Sequence, residues 1–286
     1  MQWLWLALGA AFFSALARVL IKVTRSSDNE TIVFSRYFYA LIPALIFLII
    51  AGWQTVPQEF YKWVGLAALF DVGAIAFMTL SVNNGPFSRS LPMLSFTPIF
   101  VLLTGFLFLG EKPSVLGALG ILVIVAGAYW LSYGDHQGIL GPFKALYYEK
   151  GPRYMLFTAL LFSFLGVFWK KAVLIGGLPM AISLGTFVPT ILVAGFFAFR
   201  GQLREMVPDR QDFWKLALIG ISTFGIMFFV LSAFETGFVS YVISIKRFSI
   251  ILGVVAGAVF FNEKKPFRHI VGSLIMVGGA VLISLS

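Results

Sequence analysis

"LGEKPSVLGALGILVIVAGAYWLS" (residues 109–132) and "FNEKKPFRHIVGSLIMVGGAVLIS" (residues 261–284) stand far apart in the chain, yet they are one pattern written twice. Glu111 aligns with Glu263, Gly120 with Gly272, Gly127 with Gly279 and Ser132 with Ser284, all at one constant spacing. Carried upstream, the same spacing pairs Gly85 with Gly237 and Ser88 with Ser240. Two apolar helices following a Glu-Lys turn would look alike by chance, but paired glycines and acids at one register would not. The pattern predicts an internal repeat, and the fold follows from how many helices each copy holds.

The composition says what kind of helices these are. Hydrophobic residues make up 59% and charged residues 12% of the 286 residues, with a mean hydropathy of +0.94, whereas soluble domains carry about 25% charge. A hydrocarbon layer of ~30 Å takes roughly 20 helical residues to cross. Apolar runs bounded by turn residues or charges fall at 3–24, 32–51, 63–82, 88–109, 115–131, 155–175, 181–199, 213–234, 239–261 and 267–285. Backbone groups in lipid must be satisfied within their own segment, and runs of this length do not alternate as barrel strands do, so helices are expected throughout. The N-terminal run lacks a basic leader and a small-residue cleavage site, and reads as a retained first span.

The least apolar stretch, 133–153, divides the chain into 1–132 and 154–286, each with five runs. Five is odd, so the second half must enter the membrane from the opposite face. The expected class is an all-α membrane protein of about ten transmembrane helices in two inverted five-helix repeats, a build common among secondary transporters.

This arrangement resembles the drug/metabolite transporter superfamily, specifically its ten-helix EamA-type members. The resemblance covers essentially the whole chain. It rests on the turn Gly110-Glu111-Lys112 before the fifth span, its echo Asn262-Glu263-Lys264 before the tenth, the glycines that follow each, and Arg36 early in the second span. It implies a carrier for a small molecule and leaves the substrate open.

Most loop lysines and arginines, among them Lys22, Lys150, Arg153 and Arg200, fall on the face opposite the termini; Lys62, Lys112, Lys170 and Lys171 fall on the other. The positive-inside rule then puts both termini outside, in a prokaryotic inner membrane, whereas the family resemblance implies cytoplasmic termini. The net charge of +9 is accounted for by these loops, so nucleic acid is not an expected partner. The absence of cysteine excludes disulfides and thiol chemistry, and His136 and His269 form no metal signature. No cofactor is expected, and no nucleophile–base constellation points to an enzyme.

The span "SYVISIKRFSIILGVVAGAVFF" (residues 240–261) carries Lys246 and Arg247 side by side. At 1.5 Å per helical residue, these two and Asp71 of the third span all lie ~10–13 Å deep, at one level near mid-bilayer. Each charge there costs at least ~2.5–3.5 kcal/mol, so it requires a partner, water or a purpose. A structural ion pair would leave one positive charge over, which suits an anionic ligand: Arg supplies a planar fork and Lys a mobile point charge. Ser240, Ser244 and Arg247 recur on one helical face, and Tyr241 lies within a turn of Lys246. Asp71 either balances the cations or couples transport to protons. Pro92 and Pro98 of the fourth span are expected to kink it and free carbonyls.

A ninth-helix Lys-Arg pair is similar to the phosphate-binding pair of the plastid triose-phosphate translocators, which implies phosphate binding for Lys246 and Arg247. Those translocators also use a basic residue on the fourth helix. The repeat spacing places Leu94 and Ser95 there, with Arg18 as another source of positive charge. The favoured expectation is alternating-access transport of a phosphate- or phosphonate-bearing organic anion, as monomer or homodimer. An exporter of amino acids or other neutral metabolites, a lipid-headgroup flippase and a non-transporting membrane scaffold are the alternatives.

Overall fold

The computed structural model describes residues 2–24, 29–84, 87–132, 140–201, 211–260 and 267–286. Gly85, His136, the Asn262-Glu263-Lys264 turn and part of the 133–153 linker lie outside the described residues. The described chain is helical: α1 (Gln2–Val23), α2 (Asn29–Phe38), α3 (Leu41–Ala51), α4 (Gln58–Asn83), α5 (Phe87–Leu94), α6 (Thr97–Leu109), α7 (Val115–Ser132), α8 (Gly141–Tyr148), α9 (Lys150–Phe199), α10 (Phe213–Thr236), α11 (Val239–Lys246), α12 (Ser249–Phe260) and α13 (Phe267–Ser284).

Among the described residues, eight stretches are long and apolar enough to cross a bilayer. One of these, α9, holds 50 residues but is interrupted at Gly177, whose φ of 73° and ψ of 164° are not helical. It therefore supplies two spans, as the sequence predicts. The apolar helix ending at Ser284 supplies another. The described helices thus agree with about ten crossings, and this is an all-α integral membrane protein. Large apolar side chains such as Ile49, Ile50 and Phe199 stand exposed, which water would penalise and lipid does not.

Two compact units make up the chain, and each draws on both halves of the sequence. The first holds residues 70–167 and 237–286; the second holds 2–69 and 168–236.

Within the first unit, α7 and α13 cross where glycines let their backbones meet. A Cβ on Gly120 would lie 2.7 Å from the Gly279 carbonyl oxygen, and a Cβ on Gly279 would lie 2.7 Å from that of Gly120. Gly127 meets Met276 and Gly272 in the same way and Gly279 meets Ile124, while Gly120 meets Ile283 and Gly272 meets Leu131. Under the repeat spacing, each of these contacts turns into another of the set. The helices run antiparallel and are exchanged by a pseudo-two-fold, the geometry that inverted repeats require. Close approach of small residues is how helices adhere in lipid, where apolar side chains gain nothing by leaving the solvent.

The second unit uses the same device. The buried face of α1 is a row of Ala7, Ala10, Ala11, Ser14 and Ala15, at the spacing of one helical face. Gly9 receives the ring of Phe229 on α10, Gly225 receives Phe13, and those two rings stack at 5.6 Å. Ser183 donates to the Ala44 carbonyl at 3.1 Å, tying α9 to α3.

Candidate functional site

The fourth and ninth spans are each split into two helices, and they split at the same place in the repeat. In the fourth span, α5 ends at Leu94 and α6 begins at Thr97; in the ninth, α11 ends at Lys246 and α12 begins at Ser249. Under the repeat spacing, Leu94 maps to Lys246, Ser95 to Arg247 and Thr97 to Ser249. Sequence reasoning expects the prolines to kink the fourth span and treats the ninth as continuous, because its break is a tight turn and not a loop.

At the first break, Ser95 N–H donates to the Pro92 carbonyl (3.1 Å) and Phe96 N–H to that of Met93 (3.3 Å). At the second, Arg247 N–H donates to Ser244 (3.0 Å) and Phe248 N–H to Ile245 (2.9 Å). These are three-residue hydrogen bonds, and a 3₁₀ stretch inside a helix often marks a hinge. The first break has an evident cause. Pro98 has no N–H to give the carbonyl four residues back, so Leu94 loses its helical partner. The freed oxygen takes the Thr97 hydroxyl at 2.7 Å and the Arg247 guanidinium Nη2 at 2.7 Å. At the second break, Ser244 turns its hydroxyl back onto the Ser240 carbonyl at 2.6 Å, a bond that bends helices.

The turn after the fourth span also acquires a physical role. Gly110 ends α6 with φ of 66°, in the left-handed conformation, and the N–H groups of Gly110 and Glu111 close back onto Phe106 and Gly105. That turn delivers the Glu111 carboxylate to the start of α11, where both oxygens accept the Val239 N–H, at 3.0 and 3.1 Å. Glu111 is only 6% exposed, and a negative group at a helix N-terminus meets unsatisfied N–H groups and the positive dipole end. Gly105 leaves room for it, since a Cβ there would sit 3.0 Å from Oε2. The half-helix that ends in Lys246 is thus held at its start by an acid from the opposite repeat.

Of the residues singled out from sequence, Asp71, Ser95, Tyr241, Ser244, Lys246 and Arg247 belong to one compact unit and Arg18 to the other. Lys246, Arg247 and Asp71 are half-buried, and Arg18 is exposed on α1. Ser95 lies in the first break, 1% exposed, with its hydroxyl hydrogen-bonded to no protein atom. Tyr241 is engaged elsewhere: its hydroxyl accepts from Ser286 at 3.1 Å and presses on Gly117 of α7. Phe96, in the first break, packs edge-on against Tyr129 and against Phe143 of α8, at 5.8 and 5.6 Å between ring centres. Sequence reasoning passed over Leu94 as a functional group because a backbone carbonyl has no side-chain signal; Pro98 was the available clue.

Comparison with known proteins agrees with this architecture. The model of the EamA-like transporter family matches residues 1–133 and 150–285. An uncharacterized transporter of Archaeoglobus fulgidus is 25% identical over 219 residues, covering 76% of this chain and 72% of that one. A probable 4-amino-4-deoxy-L-arabinose-phosphoundecaprenol flippase subunit, ArnE, of Hamiltonella defensa is 29% identical over 107 residues, covering 34% of this chain and 96% of that one. One crystal structure superposes with a TM-score of 0.79 over 98% of this chain and 96% of that one, at 14% identity, and so shares the fold. The chain belongs to the EamA-like transporter family and is a membrane transporter, with a small-molecule substrate and the bilayer as its surroundings.

Proposed function

We propose that the chain is a secondary transporter that moves a small organic anion, favouring one with a phosphate or phosphonate group, by alternating access. Lys246 and Arg247 hold the anionic group, and Asp71 balances their charge when the site is empty. The observation that carries this reading is the coincidence of the one Lys-Arg pair inside a span with a helix break that recurs at the mirrored position. Interrupted helices in corresponding places of the two halves are where such carriers bind substrate. A charged pair in lipid is expensive unless it serves a ligand or a partner. Ser95, a buried hydroxyl in the mirrored break of the fourth span, is suited to a substrate oxygen.

The repeats divide at 133–153, and the face richer in loop lysine and arginine is cytoplasmic, leaving both termini outside. Asp71 is also the group through which a proton would be coupled. A second reading, the flipping of a lipid headgroup, is favoured by the name of the Hamiltonella relative.

The test is uptake of phosphate- and phosphonate-bearing metabolites into proteoliposomes. Lys246→Ala and Arg247→Ala are each expected to lower uptake at least tenfold while the protein still reconstitutes. Wild-type uptake in both variants rules the reading out.

A further inference from the structure

The guanidinium of Arg247, assigned above to the proposed anion site, also reaches the other helix break. Its Nη2 bonds the Leu94 carbonyl at 2.7 Å, and that oxygen accepts at all beyond its own helix because Pro98 denies it a backbone donor. A guanidinium carries five donors in a rigid fork, so one edge can stay on Leu94 while another meets a ligand. The fork cannot bend within itself. Any movement of the guanidinium toward an anion is therefore a movement of, or away from, the first hinge.

We propose that Arg247 is a positioning residue that transmits occupancy of the anion site to the α5–α6 break, with the Pro98-freed carbonyl of Leu94 as its anchor. This inference rests on the anion reading above and adds a division of labour to it. Lys246 supplies most of the attraction for the anion. Arg247 couples binding to the conformational step, and Pro98 belongs to the machinery although it touches no ligand. The two breaks act together because one side chain bridges them.

The arrangement accounts for why arginine stands at this position. Lysine would supply the charge, but its single ammonium has no second, rigidly linked nitrogen with which to hold a carbonyl and a ligand at fixed separation. It also explains the proline. Alanine at 98 would restore the N–H to the Leu94 oxygen, heal the helix and displace Arg247, without altering any charge.

The experiment is hydrogen–deuterium exchange of the full-length protein in nanodiscs, with and without inorganic phosphate, alongside thermal melting and phosphate counterflow. Wild type, Arg247→Lys, Pro98→Ala and Lys246→Ala are compared. In wild type, phosphate is expected to raise the melting temperature and to change exchange in residues 94–100 at least tenfold. Pro98→Ala is expected to keep phosphate-dependent melting and Arg247→Lys to retain it only in part; both are expected to lose the response of 94–100 and to lower counterflow at least tenfold. Lys246→Ala is expected to lose the melting response itself. If residues 94–100 still respond to phosphate in Arg247→Lys and Pro98→Ala, or stay silent in a wild type that phosphate stabilises, the coupling is overturned. If phosphate stabilises neither wild type nor any variant, the anion reading falls and the coupling falls with it, so the two failures are told apart by the wild-type melting curve.

Discussion

At the scale of the residue, the acid in the Gly-Glu-Lys turn shows how far a motif can be read. That Glu111 follows a helix-ending glycine is visible in the sequence. That it serves as the N-terminal cap of α11 is not, because its partner Val239 lies 128 residues away and no local pattern announces so distant a bond. The role leads to an ordering of variants. Glu111→Gln keeps an acceptor for the Val239 N–H and loses only the charge at the dipole, a cost of about 0.3–1 kcal/mol. Glu111→Ala strands a buried donor, at a cost of about 1–3 kcal/mol. Melting of the detergent-purified protein should fall further for alanine than for glutamine; equal melting would remove the capping role. The depth argument for Lys246, Arg247 and Asp71 needed only the helical rise, and the structure keeps those three in one unit while assigning Arg18 to the other. Periodicity along single helices cannot reveal such a grouping.

At the scale of the element, the spans were legible, and of their two mirrored interruptions only the proline-bearing one was. Apolar length marks a crossing whether the helix is straight or broken, since the 3₁₀ turns at 95–96 and 247–248 keep their backbone hydrogen bonds and interrupt the apolar run with a single polar residue each, Ser95 and Arg247. Proline at 92 and 98 marked one break. The other, at Arg247, had no proline, and only its correspondence with the first identifies it. The glycines of α7 and α13 behave differently: their pairing in sequence became contact in space. Because Gly120 and Gly279 each meet the other's carbonyl at 2.7 Å, alanine at either position forces the same two backbones apart. Gly120→Ala and Gly279→Ala should each destabilise by about 1–3 kcal/mol, the usual cost of overpacking, and the double variant should cost less than the sum, since one separation relieves both clashes. Additive losses in thermal melting would mean that the two glycines do not share one contact.

At the scale of the whole molecule, class and repeat were fixed by composition and by an odd number of spans, whereas the regrouping of the halves into two units was hidden. Which helix packs on which depends on three-dimensional closure, and a list of apolar runs contains none. The proposed orientation, read from loop charge, is testable in a chain without cysteine, which needs no background removed. Thr55→Cys should react with an impermeant maleimide on intact cells, and Gln211→Cys only after permeabilisation; the reverse pattern places the termini inside and leaves the site unchanged. The central claim, that the break-borne cations take an anion, is tested most directly by the thermal stability of purified wild type and Lys246→Ala against phosphorylated, phosphonate, carboxylate and amino-acid metabolites. The account predicts selective stabilisation of wild type by the phosphorus-bearing anions and its loss in Lys246→Ala. Stabilisation by neutral amino acids alone, or an equal response in the variant, would contradict it.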